Sequence, residues 1–326
     1  MTASTSSRAL WTGTLFALAA GLVWGLVFVA PLLVPQYPPA MLSVGRYLAF
    51  GLIALPLAWL DRHNLRQLRR ADWLAALQLA AVGNLLYYLC LASAVQLAGA
   101  PLPTMVIGTL PVVIALCSNR RNARRDGHLP WHRLGPSLLL IAAGIALVNR
   151  AELAALRGSG ALNLRAYASG ALLALGGVVC WTWYPIRNAD WLRAHPDRKP
   201  RTWATAQGLA TLPLAVLGYG AFCLWTGVSG SDFALPFGPT PWRFVGLMAV
   251  IGLLASWLGT LCWNEASQRL PTTVVGQLIV FETLAALAYA LILRGGWPDL
   301  GVLMGAGLLV AGVWWALRGG GLRASV

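Results

Sequence analysis

Leu89-Cys90-Leu91-Ala92-Ser93-Ala94-Val95-Gln96 runs, seven residues later, into Pro103-Thr104-Met105-Val106-Ile107-Gly108. The same step returns as Leu261-Cys262-x-x-x-Ala266-x-Gln268 and Pro271-Thr272-x-Val274-Val275-Gly276, at offsets of 172 and 168. Two further echoes flank it. Ala17-Leu18 and Trp24 recur as Ala174-Leu175 and Trp181 at 157, and Leu139-Leu140-Ile141-Ala142 recurs as Leu308-Leu309-Val310-Ala311. Alanine, leucine and glycine are common in this chain, so each echo alone says little. Four echoes in the same order mark a duplication.

Composition says what kind of chain is duplicated. Of 326 residues, 58% are hydrophobic and 10% charged, with mean hydropathy +0.67. A soluble domain carries about 25% charged residues, and ten acids with twenty-four bases cannot cover a water-soluble surface of this size. Length and only five cysteines exclude a disulfide scaffold, and the apolar content excludes a disordered chain. A membrane protein remains, with the bilayer as its solvent. The net charge of +14 does not indicate nucleic acid, because the bases sit in short segments between apolar runs rather than on one face.

Apolar windows long enough to cross a hydrocarbon core of about 30 Å fall at 12–32, 39–60, 71–95, 101–118, 134–149, 167–187, 202–226, 242–264, 271–293 and 299–317. The first is too long an apolar run, behind only Arg8, for a cleavable signal. Ten crossings with a cytoplasmic N-terminus place eighteen bases in inner segments and five in outer ones. The positive-inside rule therefore puts both termini in the cytoplasm. The fold expected is an all-α membrane protein of ten transmembrane helices in two five-helix repeats, residues 1–150 and 167–326, joined by a linker at 151–166. Five is odd, so the second copy enters the membrane inverted. Inverted repeats put a site at their interface near the midplane, and rocking of one against the other gives alternating access.

Polar groups inside a bilayer are expensive and are functional candidates by default. Glu282 lies about 16 Å into the ninth window at 1.5 Å per residue, where it can hold an ammonium group or a coupling proton, or simply bond a neighbouring helix. Arg46, in the second window, can meet a carboxylate or snorkel outward. Asn84, Tyr87, Tyr88 and Leu91 form one stripe at helical spacing. Trp181 and Tyr184 make another, beside Trp183 and Pro185, and Trp24 with Phe28 a third. Aromatic walls with a few hydrogen bonders suit a small amphiphilic solute, although such stripes also serve packing. Ser256, Thr260, Trp263 and Asn264 repeat the Asn84 stripe 172 residues on. Gln277 stands about 140° around the helix from Glu282, so one narrow cavity cannot use both. Pro56, Pro111, Pro185 and Pro213 mark kinks, Gly21-x-x-x-Gly25 and Gly301-x-x-x-Gly305 allow close helix approach, and 227–241 reads as an outer lid or a linker.

The 5+5 arrangement, Trp24 in an A-L-x-x-x-x-x-W first helix, Arg46 in the second, and the L-C-x-x-x-A-x-Q to P-T-x-V-x-G step together resemble the drug/metabolite transporter superfamily, EamA type. The resemblance covers nearly the whole chain and is nearest to the branch that exports amino acids, aromatic ones included. It implies a bacterial inner (plasma) membrane carrier with a central cavity. Two departures stand out. Asn119-Arg120 and Arg294-Gly295 occupy positions where the family often has Gly-Glu, and Glu282-Thr283 replaces a Glu-Pro step.

The expected activity is secondary transport that exports small amphiphilic metabolites, amino acids first. Nucleobases, nucleotide sugars and drug-like cations are the alternative cargoes, and a membrane scaffold or receptor subunit is the alternative class. No Walker A sequence is present, so ATP does not drive it directly. H-E-x-x-H, G-x-S-x-G and any histidine or aspartate within the bilayer are missing, which argues against an enzyme. The cysteines read as packing residues, and no metal or other cofactor is expected. The partners expected are a small solute and the bilayer, with the chain as a monomer because inverted repeats can complete a cavity within one chain.

Overall fold

Proline opens four of the helices and left-handed glycine closes two, and these residues set the punctuation of the chain. The computed structural model describes residues 3–126, 131–158, 163–270, 272–295 and 298–317. The first stretch holds α1 (Ala3–Leu33), α2 (Pro39–Leu60), the short α3 (Arg62–Leu65) and α4 (Arg70–Leu79). A π-helical segment (Ala80–Leu86) follows, then α5 (Tyr87–Ala98), α6 (Pro101–Ile107) and α7 (Leu110–Asp126). Next come α8 (Trp131–Gly158), α9 (Leu164–Ala194), α10 (Pro200–Ser229) and α11 (Pro241–Ile251). A second π segment (Gly252–Leu258) leads into α12 (Gly259–Arg269), α13 (Thr272–Leu278), α14 (Val280–Arg294) and α15 (Leu300–Leu317). No strand occurs among the described residues. Pro39, Pro101, Pro200 and Pro241 stand at helix starts, where the missing N–H costs nothing. The Asn163 side chain accepts from the Ala166 amide to cap α9, and Gly230 and Gly295 end α10 and α14 with φ of 64° and 66°.

Among the described residues seven helices are long and apolar enough to cross a membrane, and Gly135–Leu147, Val280–Leu293 and Leu300–Gly312 are shorter apolar stretches. Seven of the expected windows, 101–118 among them, coincide with these full-length spans, and the windows at 134–149, 271–293 and 299–317 overlap the shorter stretches. The window at 271–293 divides at Ile279 between α13 and α14, and 101–118 divides at Gly108-Thr109 between α6 and α7. Pro111 therefore sits at the start of a new helix rather than inside a kinked one. Within the segment expected as a linker, 151–166, α8 continues to Gly158, because Ala151 to Leu156 is a run of strong helix formers.

Small residues bring the helices together. α1 packs along α14, with Gly21 and Gly25 facing Phe281 to Ala286, where an added Cβ would lie 2.8–3.3 Å from backbone and Ala285 atoms. The Gly21-x-x-x-Gly25 spacing thus serves close approach. α1 also packs on α12, and α9 on α5. Gly13 meets Leu270 in the first pair and Gly170 meets Ala98 in the second, two contacts that share the sequence offsets of 157 and 172. α2 lies against α10, α7 against α13, and α8 against α15. The connections gather at opposite ends of α2, whose 22 residues span about 33 Å. At one end Tyr37, Gln96 and Phe237 to Thr240 meet. At the other Asp61, Gln67, Arg198, Arg201 and Gln268 meet, and this end is rich in arginine.

Candidate functional site

The two π segments stand 172 residues apart, at the same offset as the Leu-Cys echo. A π turn widens the helix by one residue and turns backbone carbonyls away from their usual partners. Here side chains of other helices claim them. The Trp24 indole N–H donates to the Ala255 carbonyl at 2.8 Å, and the Ser43 hydroxyl donates to the Leu85 carbonyl at 2.9 Å. The π turns also set Asn84 and Ser256, equivalent positions in the two echoes, on the wall of one central cavity.

Of the residues singled out from the sequence, Trp24, Arg46, Asn84, Tyr87, Trp181 and Glu282 line that cavity, with Ser256 and Thr260 of the repeated stripe. Tyr88 and Tyr184 stand directly behind it. The Arg46 guanidinium lies 4.5 Å from the Tyr88 ring centroid and 4.9 Å from that of Tyr47, held between two aromatic faces. Its Nε donates to the Ser256 hydroxyl at 2.9 Å. Arg46 is 5% exposed, so it does not snorkel to the surface. Trp181 is stacked between Tyr87 (4.9 Å) and Tyr184 (4.7 Å) and meets the edge of Trp24 at 5.1 Å. Asn84 donates to the Thr211 hydroxyl at 3.3 Å.

Glu282 is 1% exposed, in the first turn of α14 beside the helix break at Ile279. The break aims the start of α14 at the cavity, and the Gly21–Gly25 face of α1 fixes its height. The Gln277 side chain lies outside the described residues. The sequence reading missed Tyr47 and Gly83. Tyr47 is adjacent to Arg46, and side chains one residue apart point in different directions on a helix, so no stripe signals it. Gly83 has no side chain to notice. Its signal is steric: a Cβ there would sit 2.1 Å from Tyr184 Cδ2.

Several polar atoms around the cavity are buried without a hydrogen-bond partner: Arg46 Nη1, Tyr87 Oη, Trp181 Nε1, Trp263 Nε1 and Glu282 Oε2. Buried polar atoms in native folds are nearly always satisfied, and each orphan costs about 1–3 kcal/mol. Four of them belong to residues that line the one cavity, and Trp263 packs on Trp24 beside it. They comprise donors that want an anion and an acceptor that wants a cation. The space between atoms is about 320 Å3, divided so finely that it accommodates roughly one water.

The chain closes over both ends of this cavity. Toward the arginine-rich end, Tyr184 donates to Gln207 (2.8 Å), and Asn188 accepts from Trp203 (2.8 Å) and Gln207 (3.2 Å) while donating to Asn264 (2.8 Å). Below them Trp191 stacks on Trp203 at 3.4 Å and donates to Asp72, which is buried. The sequence placed no aspartate among buried membrane positions; Asp72 is one, kept there by that indole and by the Arg69 amide. At the other end Tyr37 is fully buried, stacked on Phe244 at 4.5 Å. Its hydroxyl donates to the Phe237 carbonyl (2.8 Å) and accepts from the Thr240 amide (3.0 Å). The segment read as an outer lid or a linker thus folds onto Tyr37.

Comparison with known proteins agrees with this architecture. The EamA-like transporter family matches residues 11–121. An inner membrane protein of Escherichia coli (strain K12), YtfF, is 56% identical over 307 residues, covering 94% of this chain and 95% of that protein. A crystal structure shares the fold at a TM-score of 0.66 and 17% identity, covering 94% of this chain and 97% of the other.

Proposed function

Because the chain belongs to the EamA family of the drug/metabolite transporter superfamily, we propose that it is a secondary transporter exporting small zwitterionic amphiphiles, amino acids first and aromatic ones among them. It is a multi-pass inner-membrane protein. In this reading its ten helical rods form two inverted five-helix copies, residues 1–150 and 167–326, with both termini cytoplasmic and the chain acting as a monomer. The matched glycine contacts and the paired π segments support that arrangement.

The observation that carries the cargo assignment is the set of unpartnered polar atoms in the aromatic cavity. Arg46 Nη1 and the Trp181 N–H offer donors to a carboxylate, and Glu282 Oε2 offers an acceptor to an ammonium group. The stacked Tyr87, Trp181 and Tyr184 supply a flat apolar wall. A nucleotide sugar, with its diphosphate, would call for more than one buried base. A drug-like cation would leave the arginine unmet.

With space for roughly one water, the cavity admits cargo only when helices part. Alternating access then means that the Asn188 network and the Tyr37 cluster open in turn, with α4–α5 and α11–α12 flexing at their π segments, where the helical hydrogen bonding is already interrupted. Glu282, as the deep acid, is the group through which a proton gradient would couple.

The test is flux in liposomes with labelled Phe, Trp, Thr, Met and a nucleobase, with and without a pH gradient. Competition by phenethylamine and phenylpropionate, each lacking one charge of Phe, reads the two poles separately. The expected result is saturable amino-acid flux that each analogue inhibits at least tenfold more weakly than Phe, the loss of one charge-assisted bond of about 1.5–3 kcal/mol. Equal inhibition by the single-charge analogues would remove the zwitterion assignment.

A further inference from the structure

A second cavity, of about 250 Å3, lies between α4 and the last turns of α9 at the arginine-rich end. Its rim residues Gln78, Arg187 and Ala194 are exposed, so it opens sideways from the helix bundle rather than inward to the aromatic centre. Gln78 is about 12 Å from the start of α4 and Arg187 about 10 Å from the end of α9 at 1.5 Å per residue. That is the depth of headgroups and the first acyl carbons in a bilayer.

The floor is rigid. Trp191 is sandwiched between Trp203 (3.4 Å) and His195 (4.5 Å), and its indole N–H is held by Asp72 at 2.9 Å. The acids in and beside the groove already have partners: Asp190 pairs with Arg121 at 2.8 Å, and Asp72 accepts from Trp191 and the Arg69 amide. Arg187 has no partner among the described residues and projects from the wall beside Trp183. The groove therefore presents one uncommitted cation against an indole-lined slot.

The duplication gives an internal control. At offsets of 157 and 172 the positions of Trp183, Arg187, Asp190 and Gln78 hold Leu26, Ala30, Leu33 and Val250. The polar groove exists in one copy only, at the end where the chain's bases concentrate, which is where an anionic leaflet surface would lie. A structural role shared by both copies would have no reason to be charged in only one.

We propose that this groove binds an anionic phospholipid, with Arg187 on the phosphate and an acyl chain lying along Trp183 between α4 and α9. Basic pockets between membrane helices at this level suit such headgroups, and Arg forms paired hydrogen bonds to phosphate oxygens.

The test is native mass spectrometry of the full chain in detergent, titrated with phosphatidylglycerol or with phosphatidylcholine of the same acyl chains. Wild type is expected to retain phosphatidylglycerol selectively. Arg187→Gln should weaken that retention about fivefold, Arg187→Lys should keep most of it, and Arg243→Gln, an exposed base at the other end, should leave it unchanged. A melting curve without lipid checks that each variant is folded. Equal retention of the two lipids, or unaltered retention by Arg187→Gln, would overturn the proposal. Displacement of the lipid by millimolar inorganic phosphate would show a free-anion site instead and would equally overturn it.

Discussion

Gly83→Ala is the smallest change that tests whether the aromatic stack is set by the first π segment. An ideal Cβ at residue 83 lies 2.1 Å from Tyr184 Cδ2 and 2.6 Å from its Cγ, whereas carbon atoms in contact sit about 3.5–4.0 Å apart. The ring must retreat by roughly 1.5 Å. It is held on one side by the stack on Trp181 at 4.7 Å and at its tip by the 2.8 Å bond to Gln207, and neither contact survives such a shift. Losing the stack costs about 0.5–1.5 kcal/mol and losing the hydrogen bond about 1 kcal/mol. Alanine returns about 0.5–1 kcal/mol through helix propensity. The net expectation is destabilisation of about 0.5–2 kcal/mol with flux sharply reduced. Gly246→Ala is the matched control, since nothing lies within 4 Å of its Cβ position in α11, and it should be neutral or slightly stabilising. Thermal melting of both variants in one detergent, alongside liposome flux, reads the difference. If Gly83→Ala melts with Gly246→Ala and transports normally, Tyr184 is free to move and the reasoning about a rigid aromatic wall fails.

Three further changes probe separate parts of the site. Glu282→Gln removes a buried carboxylate with an unpartnered oxygen, so melting temperature should hold or rise while flux and its response to a pH gradient are lost; a large fall in stability would mean the carboxylate is structural. Trp24→Phe keeps the ring but strands the Ala255 carbonyl, a cost of about 1–3 kcal/mol measurable by denaturation, and an unchanged midpoint would show that the π segment satisfies its own backbone. Tyr37→Phe deletes the hydroxyl that ties Phe237 and Thr240; cleavage of residues 230–240 by a protease should quicken, by about fivefold for roughly 1 kcal/mol, and unaltered cleavage would locate the closure elsewhere.

The helices and their approximate ends were legible in the sequence, because apolar periodicity, proline and glycine are properties of the chain read in one dimension. So were Trp24, Arg46, Asn84, Tyr87, Trp181 and Glu282, since a polar or aromatic residue in a bilayer window stands out against its neighbours. What those residues lack was not legible. An orphan atom such as Trp181 Nε1 is defined by the absence of partners on every other helix, and nothing local encodes that. The π turns were equally silent, because Ala80–Leu86 and Gly252–Leu258 have ordinary helical compositions and widen only where Ser43 and Trp24 reach in to take their carbonyls. Tyr37 looks like a loop residue until Phe244, more than two hundred positions away, stacks on it. Sequence determined the elements; the meeting of helices distant along the chain decided which side chains share a space, and so what that space can hold.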